Sequence, residues 1–99
     1  MLSDAQVSGY DIEGYVSPLP CLTKAEASAL REEMERLERD HSIRVADVIR
    51  NKGHLKSLAL FALSWEDRIL DAVEGVLGPD ILCWGASMFV KEAGDPGFV

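Results

Sequence analysis

At Gly78-Pro79 the periodicity of this sequence changes, and that change limits the fold more than any other feature. Upstream, apolar residues recur at helical spacing. Downstream, Ile81 through Lys91 (ILCWGASMFVK) is rich in the aliphatic and aromatic residues that favour strands. A lone strand leaves its backbone donors and acceptors unmet, so it needs a neighbour. Past the Gly/Pro turn at 92–97, Phe98 and Val99 read as the start of another strand. The expectation is an α+β fold: helices ready to cover a sheet, one good strand, and the rest of the sheet missing. On this reading residues 1–99 form a single incomplete domain, the front part of a larger α+β or mostly-β one.

Alternation along the strand sorts its side chains onto two faces. Leu82, Trp84, Ala86, Met88 and Val90 form an apolar set suited to cover by helices. Cys83, Gly85, Ser87, Phe89 and Lys91 form a mixed set, suited either to the inner wall of a wide barrel or to a strand whose Lys91 marks its wet end. Gly85 suggests a bulge or a close backbone approach.

The helices announce themselves by their caps. Ser3-Asp4-Ala5-Gln6 and Thr23-Lys24-Ala25-Glu26 have the form of capping boxes, and Gly14 stops the first helix. Pro18 and Pro20 restrict Tyr15–Ser17 to an edge strand or irregular chain. In the second helix Leu30, Met34, Leu37 and His41 make one narrow stripe, with Glu32–Arg36 and Glu35–Arg39 as i,i+4 pairs outside it. Residues 43–50 fit strand or helix equally. Leu55–Leu63 reads as one short helix after the Asn51-Lys52-Gly53 loop. Ser64–Asp67 caps the next helix, whose face holds Ile69, Leu70, Val73, Val76 and Leu77 before Gly78-Pro79 ends it.

A net charge of −7 over 99 residues argues against a nucleic-acid partner or an anionic membrane surface, both of which need a basic face. No apolar run reaches the ~18 residues of a membrane span. The acidic start MLSDAQVSGYD lacks the apolar segment of a secretory signal. The default compartment is therefore the cytoplasm. There Cys21 and Cys83 would be reduced thiols buried like small apolar residues, a disulfide being the lesser alternative.

No complete catalytic constellation is present. The sequence has no H-x-D, H-x-E, CxxC, nucleophile elbow, Walker loop or GxGxxG. His41 ends a helix, where a cation suits the dipole. His54 follows Gly53 in a loop and faces either solvent or a cavity. A metal site from Asp40, His41 and His54 lacks ligand spacing. Glu92 and Asp95 flank a turn, where acidic residues are common because they are solvated.

The run RILDAVEGVLGPDILCWGASMFVKEAGDPGFV, residues 68–99, resembles the phytanoyl-CoA dioxygenase family of Fe(II)/2-oxoglutarate-dependent oxygenases. Many bacterial members have a helix of the form ILDAVEDLLGPDI followed by LCWGSSFFIKEPGDPGFV. Residues 13–38, EGYVSPLPCLTKAEASALREEMERLE, are similar to the family's opening pattern, NGY-hydrophobic-PGLLSPEEVAALR. The resemblance spans nearly the whole chain and is weakest over residues 43–59. It implies a double-stranded β-helix, or jelly roll, of which this chain supplies the helical support and first strand, its helical faces lying on the major sheet. It also implies an oxidoreductase that uses iron, 2-oxoglutarate and dioxygen to hydroxylate a small or lipid-like substrate. In the family a WHQD segment, carrying two of three iron ligands, follows the counterpart of Phe98-Val99. The chain alone is thus expected to supply no catalytic or metal-ligating residue, to bind neither iron nor cosubstrate tightly, and to be inactive. The resemblance places Ser87 and Phe89 on the wall of the cosubstrate pocket. It gives Lys91 a part either at the turn or at the cosubstrate, and leaves His54 and Lys56 near the pocket or at the surface. The competing expectation is a non-catalytic helical interaction module that binds a partner chain, or self-associates through the exposed strand edge.

Overall fold

Both capping boxes form, and they set the first two helices. The computed structural model describes residues 1–97 and, within them, every side chain except that of Val48. Helix α1, Asp4–Glu13, starts where the Ser3 hydroxyl accepts from the Gln6 N–H while the Gln6 side chain accepts from the Ser3 N–H. It ends at Gly14, whose φ of 80° is the left-handed conformation open to glycine. Helix α2, Lys24–His41, starts with the same reciprocal pair between Thr23 and Glu26.

Three shorter helices and a turn follow. Helix α3, Val45–Ile49, has no side-chain cap of its own; instead Glu38, seven residues back on α2, accepts from the Val45 N–H at 2.9 Å. That remote cap is why residues 43–50 are ambiguous in the sequence. A 3-10 turn, Gly53–Leu55, precedes α4, Leu58–Leu63, so the single helix expected over Leu55–Leu63 is two pieces. The Ser57 hydroxyl caps α4 by accepting from the Leu60 N–H. Helix α5, Asp67–Leu77, is capped by Glu66 and ends at Gly78, whose N–H donates to the Glu74 carbonyl.

Helix α2 packs on α3 and α4, and the 3-10 turn packs on both of these. The core at their meeting point is Leu37, Val45, Ile49 and Leu60, with Met34, Met88 and Val90 against it. Each fully buried aliphatic side chain contributes roughly 1.5–3 kcal/mol. Among the described residues only Ile49 is completely sealed, at 0% exposure. Of the expected α2 stripe, Leu37 is buried, Leu30 and Met34 are half-buried, and His41 is exposed. Helix α5 turns to α1, where Leu2 sits against Gly75. Its face is half-buried, with Leu77 exposed. The α2 face therefore lies on α3 and α4 and the α5 face on α1, not on the outside of a sheet.

The α+β jelly-roll expectation is overturned. Among the described residues the fold is helical and contains no strand. Residues 81–91 make one antiparallel bridge, Asn51 to Ser87, through Lys52 N–H to Ala86 carbonyl at 3.1 Å and Met88 N–H to Arg50 carbonyl at 3.2 Å. The physical reason is the want of a neighbour. A strand exists only along a partner of matching length, and here Arg50–Lys52 is all that lies alongside. The alternation survives locally: Ala86, Met88 and Val90 are half-buried, while Ser87, Phe89 and Lys91 are exposed. Leu82 and Trp84, expected under helices, are exposed. The reading of Phe98 and Val99 as a further strand lies outside the described residues.

Charge pairing also differs from expectation. Arg36 holds Glu33 through two contacts of 2.7 Å and Asp40 at 2.6 Å, while Glu35 is taken by Arg31. The guanidinium fork reaches one turn in each direction at once, which a pair with Glu32 alone does not allow. Both cysteines are free thiols, but Cys21 is half-buried and Cys83 exposed, so neither is packed as a small core residue.

Candidate functional site

Two clefts flank the segment 84–91, and the candidate residues divide between them. The larger, about 440 Å³, lies between α3 and residues 88–97. Arg44 and Arg50 reach it from the two ends of α3; Phe89 and Lys91 reach it from the other side, with Asp95 and Gly97. The turn that completes this wall is held by its own hydrogen bonds. The Glu92 N–H donates to the Asp95 carboxylate at 3.0 Å, the Asp95 N–H donates to the Glu92 carbonyl at 3.1 Å, and the Lys91 ammonium donates to the Gly97 carbonyl at 3.2 Å. Lys91 thus has a structural part at the turn while lining the cleft. Arg44 lies 3.4 Å from Asp47, and Arg50 makes no ion pair among the described residues. Three cations facing one carboxylate, itself engaged by a backbone N–H, give the cleft a positive wall in a chain of charge −7.

The smaller cleft, about 390 Å³, lies between residues 51–55 and 84–87 and holds Ser87 and His54. The bridge at Asn51 and Ser87 fastens its two sides together. Ser87 and Phe89, expected on one wall, therefore open into different clefts. Alternation says that both face away from the core, but not which neighbour each then meets. Lys56 lines neither cleft.

The residues missed in the sequence are Arg44 and Arg50 in the larger cleft and Asn51, Lys52 and Trp84 in the smaller. One signal pointed to them: residues 44–56 carry Arg44, Arg50, Lys52 and Lys56 against Asp47 alone, a local reversal of the chain's acidic balance.

The resemblance places its iron ligands after Phe98-Val99, and the two histidines of this chain stand apart. His41 ends α2 with its Nδ1–H donating to the Leu37 carbonyl at 2.9 Å, whereas His54 lies in the smaller cleft beside Lys52. Among the described residues no three His, Cys, Asp or Glu side chains gather as a metal site. A dicarboxylate suits the larger cleft better, since its wall is cationic with an aromatic ring beside it. Among the described residues, no helix is long and apolar enough to cross a membrane.

Comparison with known proteins adds no relative: no family model, curated protein or solved structure matches the chain.

Proposed function

We propose that this chain forms part of an Fe(II)/2-oxoglutarate-dependent dioxygenase resembling phytanoyl-CoA dioxygenase. It supplies a wall of the cosubstrate site and none of the iron ligands. The intact enzyme hydroxylates a small or lipid-like substrate, with 2-oxoglutarate leaving as succinate and carbon dioxide. The observation that carries the reading is the position of Phe89 and Lys91. Both belong to the stretch that resembles the family, and both line the one cleft whose wall also offers Arg44 and Arg50. Arg50 and Lys91 are the groups to hold a carboxylate of the cosubstrate, and Phe89 is the apolar wall beside it. Ser87 faces the neighbouring cleft and serves the cosubstrate only indirectly.

The test is the coding sequence after the Val99 codon, followed by succinate release from the protein it encodes. A Trp-His-Gln-Asp-like segment and iron-dependent succinate formation support the proposal. A stop codon in an expressed transcript overturns it.

One observation favours a second reading, a helical interaction module that binds a partner chain. Leu82, Trp84 and Phe89 are all exposed along one segment, more apolar surface than an isolated chain gains by showing. Sedimentation separates the two, since a module gives a defined oligomer or a cooperatively unfolding monomer and a stranded wall aggregates.

A further inference from the structure

The smaller cleft contains three features that neither the core nor the cosubstrate reading uses. First, His54 has its Nδ1 sealed from solvent with no hydrogen-bond partner among the described residues. Second, Lys52 is held at φ 56°, ψ 38°, a left-handed conformation that a lysine rarely adopts. Such a residue persists only where its surroundings impose it, and the bridge made by its own N–H to Ala86 does so here. Third, Trp84 lines the cleft while 97% exposed, an indole face with nothing stacked on it.

We infer that this cleft binds a small aromatic carboxylate. The chemistry follows from the lining. The Lys52 ammonium supplies the counter-charge, and Asn51 and Ser87 supply hydrogen-bonding groups next to it. Trp84 and Leu55 take the aromatic ring by stacking and apolar contact. At about 390 Å³ the cleft stands at the small end of the roughly 300–1,000 Å³ usual for ligand sites, so one or two rings are the limit. The inference does not depend on the dioxygenase reading, because it uses a different cleft and a different ligand class.

The experiment is a titration of the chain with benzoate, followed by NMR at the Trp84 indole and the His54 ring, with acetate as the control lacking a ring. The variant is Lys52→Asn, which removes the ammonium but keeps a side chain that tolerates the left-handed conformation. Saturable shifts at both residues with benzoate, weakened roughly tenfold in Lys52→Asn and not reproduced by acetate, are the expected result. Shifts that fail to saturate, that survive unchanged in Lys52→Asn, or that acetate reproduces at equal concentration overturn the inference.

Discussion

Gly53 is buried at the point where the 3-10 turn meets the core, and Gly53→Ala tests how tightly that core is fitted. A Cβ added there would lie 3.1 Å from Ile49 Cβ and 3.2 Å from Leu60 Cδ1. Carbon pairs sit best at about 3.5–4.0 Å, so both contacts are short. The two neighbours differ in what they can do. Leu60 meets the new methyl with a terminal carbon and can rotate, whereas the Ile49 atom is fixed to its backbone in a fully sealed residue. Overpacking of this kind costs about 1–3 kcal/mol. Loss of unfolded-chain freedom on replacing glycine returns about 0.4–1 kcal/mol. We expect a net loss of about 1–2 kcal/mol, read by circular dichroism in urea, where each 1 kcal/mol corresponds to about 4–8 °C in a matching thermal scan. Adding Leu60→Ala removes one of the two close atoms, so the double variant should lose less than the sum of the singles by at least about 0.5 kcal/mol. A Gly53→Ala protein that unfolds at or above the parent midpoint both in urea and on heating would refute the packing described here.

Ile49→Ala empties the centre of a four-residue core and should cost about 2–5 kcal/mol, a large share of the roughly 5–15 kcal/mol available to a domain, seen as a collapse of the urea midpoint. Gly75→Ala should behave oppositely to Gly53→Ala. The nearest atoms to its methyl all belong to Leu2, at 3.2 Å and close to the chain start, while the interior of α5 gains up to about 1 kcal/mol of helix propensity; a marked fall in Tm would show that Leu2 is rigidly held. The third expectation concerns acid. The Glu26 carboxyl is held at about 2 against an ordinary 4.5, chiefly by the Arg68 guanidinium and then by the Thr23 N–H and hydroxyl. Because the folded value is depressed, this stabilisation is complete above pH 4.5 and is lost as pH falls towards 2. The gap in unfolding midpoint between the parent and Arg68→Met should therefore be widest above that window and close below it. A gap that stays constant with pH would dissociate Arg68 from Glu26.

What could be read in the sequence was local. Ser3 with Gln6, Thr23 with Glu26, and Gly14 and Gly78 place four helix boundaries well because each cap is complete within a few residues. Helix α3 was not legible, since its cap comes from Glu38 on another helix. The stretch 81–91 has the composition of a strand and keeps its alternation over 86–91, yet strand formation depends on what lies alongside, and Arg50–Lys52 offers a single bridge. The same limit applies to the clefts. Phe89 and Lys91 were found as candidates because they belong to that stretch, but their companions Arg44 and Arg50 come from the segment whose structure was undecided. His54 stood out as a residue type, while the cleft it lines is completed by residues 84–87 that no spacing rule connects to it.

Arg68 gives both its terminal nitrogens to Glu26, 42 residues earlier, at 3.0 Å each, and its Nε to Glu66. Closing a loop of 42 residues carries an entropic cost, so we expect this grip to form late in assembly. Interactions made that late govern how fast the native state is left more than how fast it is reached. Removal of Arg68 should quicken unfolding in a stopped-flow experiment and leave the refolding rate nearly unchanged.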